Sequence, residues 1–147
     1  MFADLSIDPG ASGCQTYEAT SFLIHRIKFE PAAALILLQV GVLGEASWPP
    51  SEDNRRLHVL IEYLSQFYSP EHEIVVYEAS PDPAQQSRVQ RAPLLQLGSV
   101  HISVSSTLYV PPASFPALNL EMIERLKMKA PLNPDDPGAW ARQVADE

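Results

Sequence analysis

AAALILLQVGV, residues 32–42, is apolar at every position except Gln39 and Gly41, and Gly44 follows it closely. A run apolar on both faces and bounded by glycine reads as a strand covered on two sides, which places a central strand over 35–42. Downstream, beyond a turn at Trp48-Pro49-Pro50, Ser51 can cap a helix over 52–68. In that helix Leu57, Leu60, Ile61, Leu64, Phe67 and Tyr68 recur at the three- and four-residue spacing of one buried face. Ser69-Pro70 stops it, and EIVVY (73–77) has the β-branched content of another strand, expected over 73–79. The order strand, helix, strand predicts an α/β fold, a sandwich built on one mixed sheet flanked by helices.

The remaining segments are shorter. Val100, Ile102 and Val104 alternate with His101, Ser103 and Ser105, the two-residue period of a half-buried strand over 100–110 that Pro111-Pro112 closes. Val89 to Arg91 offers a brief strand, residues 15–27 are moderately helical, and 119–128 offers a short helix with Leu120, Ile123 and Leu126 on one side. SPDPAQQS (80–87) is a loop. Residues 131–147, with Pro131, Pro134 and Pro137 among acids, read as a mobile tail outside a domain spanning 1–130.

Composition sets outer limits on function. The 147 residues, 46% of them hydrophobic, suffice for one core. Fourteen prolines against six glycines stiffen the connections and disfavour a helical bundle. A net charge of −8 provides no footprint for nucleic acid or an anionic membrane surface, so neither is expected as a partner. Cys14 is the only cysteine, which excludes an internal disulfide. With no apolar run near the roughly 20 residues of a membrane span, and no basic segment at the start, a cytoplasmic location is the default.

Catalytic signatures are sparse. The glycines form no dinucleotide or phosphate-loop spacing, and no nucleophile elbow occurs. His25, His58, His72 and His101 lack metal-ligand spacing, so no metal is expected. Cys14, beside Gly13, reads as a packing residue; a hydrolase built on this thiol would need a histidine that nothing in the sequence places near it. More informative are polar residues at strand ends. Within the apolar run, the Gln39 amide needs a hydrogen-bond partner, which can be a loop backbone or a ligand. Tyr77-Glu78-Ala79-Ser80 closes one strand with a small residue at the rim, and Ser105-Ser106-Thr107 puts three hydroxyls in a row before Leu108-Tyr109. Ligands of open α/β sheets bind outside the carboxyl ends of strands, which is where the first two of these sites lie, and a small-molecule pocket is expected there.

FADLSIDPGASGCQTYEAT (2–20), LILLQVGVLGEAS (35–47), HEIVVYEASP (72–81) and STLYVPP (106–112) together resemble the carboxyl-terminal half of tetrapyrrole-methylase-like, class III S-adenosylmethionine-dependent methyltransferases. The nearest branch is that of the borosin peptide-backbone N-methyltransferases. The resemblance implies a two-lobed fold with S-adenosylmethionine in the cleft between lobes, of which the amino-terminal lobe has no counterpart in residues 1–130. It further implies that Gln39 and Val40 line the cofactor cleft, that Glu78 and Ala79 lie under the nucleoside, and that Ser106 and Thr107 meet the adenine. Val40 stands where many corrin-pathway members have methionine, and no GxPxTxR-like element is present, which directs the expected substrate away from tetrapyrroles toward a peptide or small molecule. Binding and turnover by this chain alone are expected to be weak or absent.

Two partner arrangements follow from the unmatched lobe. A separate amino-terminal lobe or a homodimer would cover an apolar rim expected around Val40, Val42, Leu43 and Tyr109. The rival reading is a non-catalytic interaction module that pairs with another protein.

Overall fold

The computed structural model describes residues 1–46 and 54–128. The cap expected at Ser51, the turn at Trp48 and the tail 131–147 lie outside these residues. Five strands form one mixed sheet: β1 (Cys14–Glu18), β2 (Ala34–Leu38), β3 (Glu73–Glu78), β4 (Arg88–Pro93) and β5 (Thr107–Val110), in the order β1-β2-β5-β3-β4. β1 and β2 are parallel, while β2–β5, β5–β3 and β3–β4 are antiparallel. The α/β architecture matches the reading of the sequence.

β2 shows why an uninterrupted apolar run was needed. Leu35 and Leu37 point into a core closed by α3 (Ala19–Ile24), α4 (Leu57–Leu64) and a 3-10 segment over Leu94–Ser99, with Phe22, Leu57, Leu60, Leu64, Leu94 and Leu97 fully buried. Ala34 and Ile36 point the other way, into a smaller core with Val75, Tyr77 and Tyr109 that Leu5 of α1 (Phe2–Leu5) covers. Each fully buried aliphatic side chain contributes about 1.5–3 kcal/mol, so covering both faces is the main stabilising effect. A short α2 (Pro9–Ser12), whose Asp8 cap accepts from Gly10 N at 2.8 Å, leads into β1.

Four boundaries differ from expectation. The central strand ends at Leu38 rather than 42, because Gln39 takes a left-handed conformation (φ 60°) and Val40–Val42 form a 3-10 turn. Residues 15–27 are not one helix: β1 takes 14–18, and Glu18 caps α3 by accepting from Thr20 N (2.8 Å) and Ser21 N (2.7 Å). Two bonds to one carboxylate stop the strand and start the helix at a single residue. The helix over 52–68 contracts to α4, preceded by a 3-10 turn at Asn54–Arg56. Ser65 near its end donates to Ile61 O at 2.7 Å, and Tyr68 is buried beyond it. Finally, the strand over 100–110 is confined to 107–110, since serine hydroxyls capture the backbone of 103–106 in a turn.

The apolar rim expected around Val40, Val42, Leu43 and Tyr109 is not open to water: all four are buried, none above 8% exposed. The 3-10 turn draws Val40 and Leu43 into the main core, and α1 shields the side of the sheet that holds Tyr109. Exposed apolar residues instead gather in the last described segment, at Phe115, Leu120, Met122 and Leu126, where α5 (Leu120–Arg125) buries none of its residues. No helix among the described residues is long and apolar enough to cross a membrane.

Candidate functional site

Because β1, β2 and β3 run one way and β4 and β5 the other, one end of the sheet collects the last residues of three strands and the first of two. Glu18, Leu38, Thr107, Glu78 and Arg88 lie along that end. The predicted segments 39–40, 78–79 and 106–107 are therefore neighbours in space although separated in sequence. Val40 N donates to Ser106 O at 3.3 Å, and Ser106 Oγ donates to Glu78 Oε1 at 3.0 Å, so the three segments are linked directly.

The turn after β2 is held at several points. Gly44 N donates to Thr20 Oγ1 (2.9 Å) at the start of α3, and Arg56 Nη1 donates to Leu43 O (3.1 Å). Gly41 lies so close to the 103–106 turn that a β-carbon there would sit 1.9 Å from Ser103 O. Only glycine permits this approach, and it brings the two loops of the sheet end into contact.

Glu78 is the hub of the polar network. Arg88 Nε donates to its Oε2 at 2.7 Å and Nη2 forms an ion pair with the same oxygen at 2.7 Å, while Ser106 and Ser105 (3.3 Å) donate to Oε1. Arg88 Nη1 reaches His101 O at 2.7 Å and also donates to Gln90 Oε1. Ser106, with no exposed surface, accepts from Ser103 N at 2.9 Å. Partial burial pushes the Glu78 carboxyl up, but the hydrogen bonds from Arg88 and Ser106 and the Arg88 charge prevail and hold it below the usual carboxylate range.

The six predicted contacts thus divide by accessibility. Gln39 and Ala79 are exposed, Glu78 and Thr107 are half-buried, and Val40 and Ser106 are buried. Val40 and Ser106 can shape a ligand surface only through their backbone. Gln39 does not lie inside the strand with its amide paired to a loop; it sits past the strand end, and its amide makes no hydrogen bond among the described residues. Arg88 and Ser103 escaped the sequence reading. The signal for Arg88 was present in Arg88-Val89-Gln90, where alternate residues of a short strand put an arginine and an amide on one face.

Apart from the sheet end, a polar hollow of about 560 Å³ lies beside the β3–β4 loop, lined by Asp4, Ser80, Asp82, Gln85 and Ser87 among others. Tyr77 donates to Asp4 Oδ2 at 2.6 Å at its base. Cys14 is half-buried and packs on the smaller core. Among the described residues no three His, Cys, Asp or Glu side chains gather to hold a metal ion.

No family model matches the chain. It is nevertheless 38% identical, over 87% of its length, to the methyltransferase/ribosomally synthesized cyclic peptide omphalotin A precursor of Omphalotus olearius, of which it covers 32%. It is 34% identical, over 95% of its length, to a methyltransferase/type I borosin cyclic peptide precursor of Coprinopsis marcescibilis, covering 38% of that protein. The dendrothelin A precursor and methyltransferase of Dendrothele bispora is 37% identical over 86% of this chain, which covers 32% of it. The chain spans about a third of the length of the curated relatives it matches. Its homologues are borosin-type precursor/methyltransferases.

Proposed function

We propose that this chain supplies one wall of the S-adenosylmethionine cleft of a borosin-type peptide methyltransferase, corresponding to the second lobe of the class III fold. The observation that carries this reading is the convergence of 39–41, 78–79 and 103–107 at one end of the sheet, in a chain similar to methyltransferases over most of its length. Each relative is described as both a methyltransferase and a peptide precursor, which favours a peptide as methyl acceptor.

The residues present suit a nucleoside. Gln39 offers an exposed amide with both donor and acceptor, Ala79 is small and exposed, and Ser103, Ser105 and Thr107 add accessible hydroxyl residues at the same end of the sheet. Glu78 adds no uncompensated charge because Arg88 neutralises it. The bound cofactor supplies an electrophilic methyl group. This chain would hold the nucleoside and keep water from one side of the cleft, which aligns the acceptor with the methyl group; the proton that a peptide N–H gives up on methylation passes to a base, a role to which no residue of the sheet end is assigned.

The remainder of the cleft belongs to polypeptide corresponding to other parts of the relatives, so the wall alone binds weakly. Calorimetric titration of S-adenosylhomocysteine into the 147-residue chain is expected to show no micromolar binding. Micromolar affinity would contradict a one-wall site. The exposed apolar stretch at Phe115, Leu120 and Leu126 favours a second reading, a non-catalytic module that pairs with another protein or with a second copy. A stable complex with unaltered affinity for the cofactor product would support that alternative.

A further inference from the structure

We propose that Arg88 is a positioning residue for the cofactor wall: through Glu78 and Ser106 it fixes the 101–106 loop against the turn after β2, and so sets the shape that the nucleoside meets. The inference rests on the cleft reading above and goes beyond it, because Arg88 was not among the expected contacts.

The geometry is specific to a guanidinium. Nε and Nη2 hold Oε2 of Glu78 across the β3–β4 pair, where Glu78 and Arg88 are register partners. Nη1 crosses to the carbonyl of His101 at the start of the loop and is flanked by the Gln90 amide, while Nη2 also reaches Ser106 Oγ at 3.4 Å. One planar group thereby ties β3, β4 and both ends of the loop. At the loop's far end Ser106 N donates to Ser103 O (3.1 Å) and Ser103 N returns to Ser106 Oγ (2.9 Å), closing the turn that touches Gly41. Glu78 and Ser106 spend their side-chain bonding on this network. They act on a ligand through the loop's placement, and the direct contacts are left to Gln39, Ala79, Thr107 and the accessible Ser103 and Ser105.

A lysine would keep the charge but present one ammonium in place of a fork, so it cannot span these acceptors. Arg88→Lys and Arg88→Gln test the inference by amide hydrogen exchange and by shifts induced by S-adenosylhomocysteine, both followed by NMR in the full chain. In both variants the Ser103, Ser106 and Val40 amides are expected to exchange on the order of tenfold faster, with Ile36 and Val75 in the sheet unchanged. The ligand-induced shifts over 103–107 should diminish in both. Glu78→Gln, which keeps the side chain's shape, should reproduce the effect more mildly. Wild-type exchange and undiminished shifts in Arg88→Lys would overturn the positioning role. Absence of any ligand-induced shift in the wild-type chain would overturn the cleft reading instead, and the exchange rates would still show whether Arg88 fixes the loop.

Discussion

Gly41→Ala is expected to lower the stability of the chain by about 3 kcal/mol, the upper part of the range for overpacking a filled site. The added methyl would lie 1.9 Å from Ser103 O and 2.5 Å from Ser103 C, both backbone atoms that no rotamer change can move aside. Relief requires the turn after β2 and the 103–106 turn to separate, which breaks the bond from Val40 N to Ser106 O. For a chain of this size the loss corresponds to a melting temperature about 10 °C lower. Gly98→Ala is the internal comparison: nothing lies within 4 Å of its would-be β-carbon, so its melting temperature should stay near wild type. Equal melting of the two variants would show that the loops of the sheet end are not in contact.

Phe22→Ala should cost more, about 3–5 kcal/mol, as expected for removing a fully buried ring that neighbours cannot replace. Phe22 has no exposed surface and lies 5.2 Å from the Phe29 ring and 5.5 Å from Tyr63, both edge-to-face, and 5.6 Å from Tyr17. These rings join α3 to β1 and α4 at once. The loss also reaches the site, since Thr20 at the first turn of α3 accepts from Gly44 N. Ile24→Ala, at the exposed end of the same helix, should change stability by less than about 0.5 kcal/mol. Chemical denaturation of both variants measures the contrast, and similar midpoints would refute the assignment of Phe22 as the anchor.

Most of the fold is legible in the sequence through hydrophobic period. β2, β3 and α4 are readable because their apolar residues form long enough runs, or fall at helical spacing, to exclude other arrangements. β1 is hidden by Gln15 and Thr16, polar residues that an edge strand tolerates and that a helix tolerates equally. The alternation over 100–106 imitates a strand. Ile102 is indeed buried, but the hydroxyls of Ser103 and Ser106 bond locally, and a side chain that satisfies nearby backbone competes with the ladder.

At the site, position is legible and side-chain role is not. The ends of β2 and β3 are marked in the sequence by the residues that interrupt each apolar run, whereas 106–107, read as lying within a strand over 100–110, reaches the same end of the sheet because β5 begins only at Thr107. Gln39 reads as a paired amide only if the strand is extended too far; one left-handed residue releases it to solvent. Glu78 is bonded by Arg88, whose strand is recognisable only in outline, and a register is needed to bring the two together. Ser106 turns inward for the same reason.

The most direct test of the cofactor wall is a map of where S-adenosylhomocysteine touches the full chain, recorded as amide chemical-shift changes during titration to millimolar concentration. Changes are expected at Gln39, Ala79, Ser103, Ser105 and Thr107, with none at the hollow around Asp82 and Ser87 and a midpoint weaker than micromolar. Changes centred on that hollow, or none at the end of the sheet where β2 and β3 finish, would contradict the cofactor-wall reading.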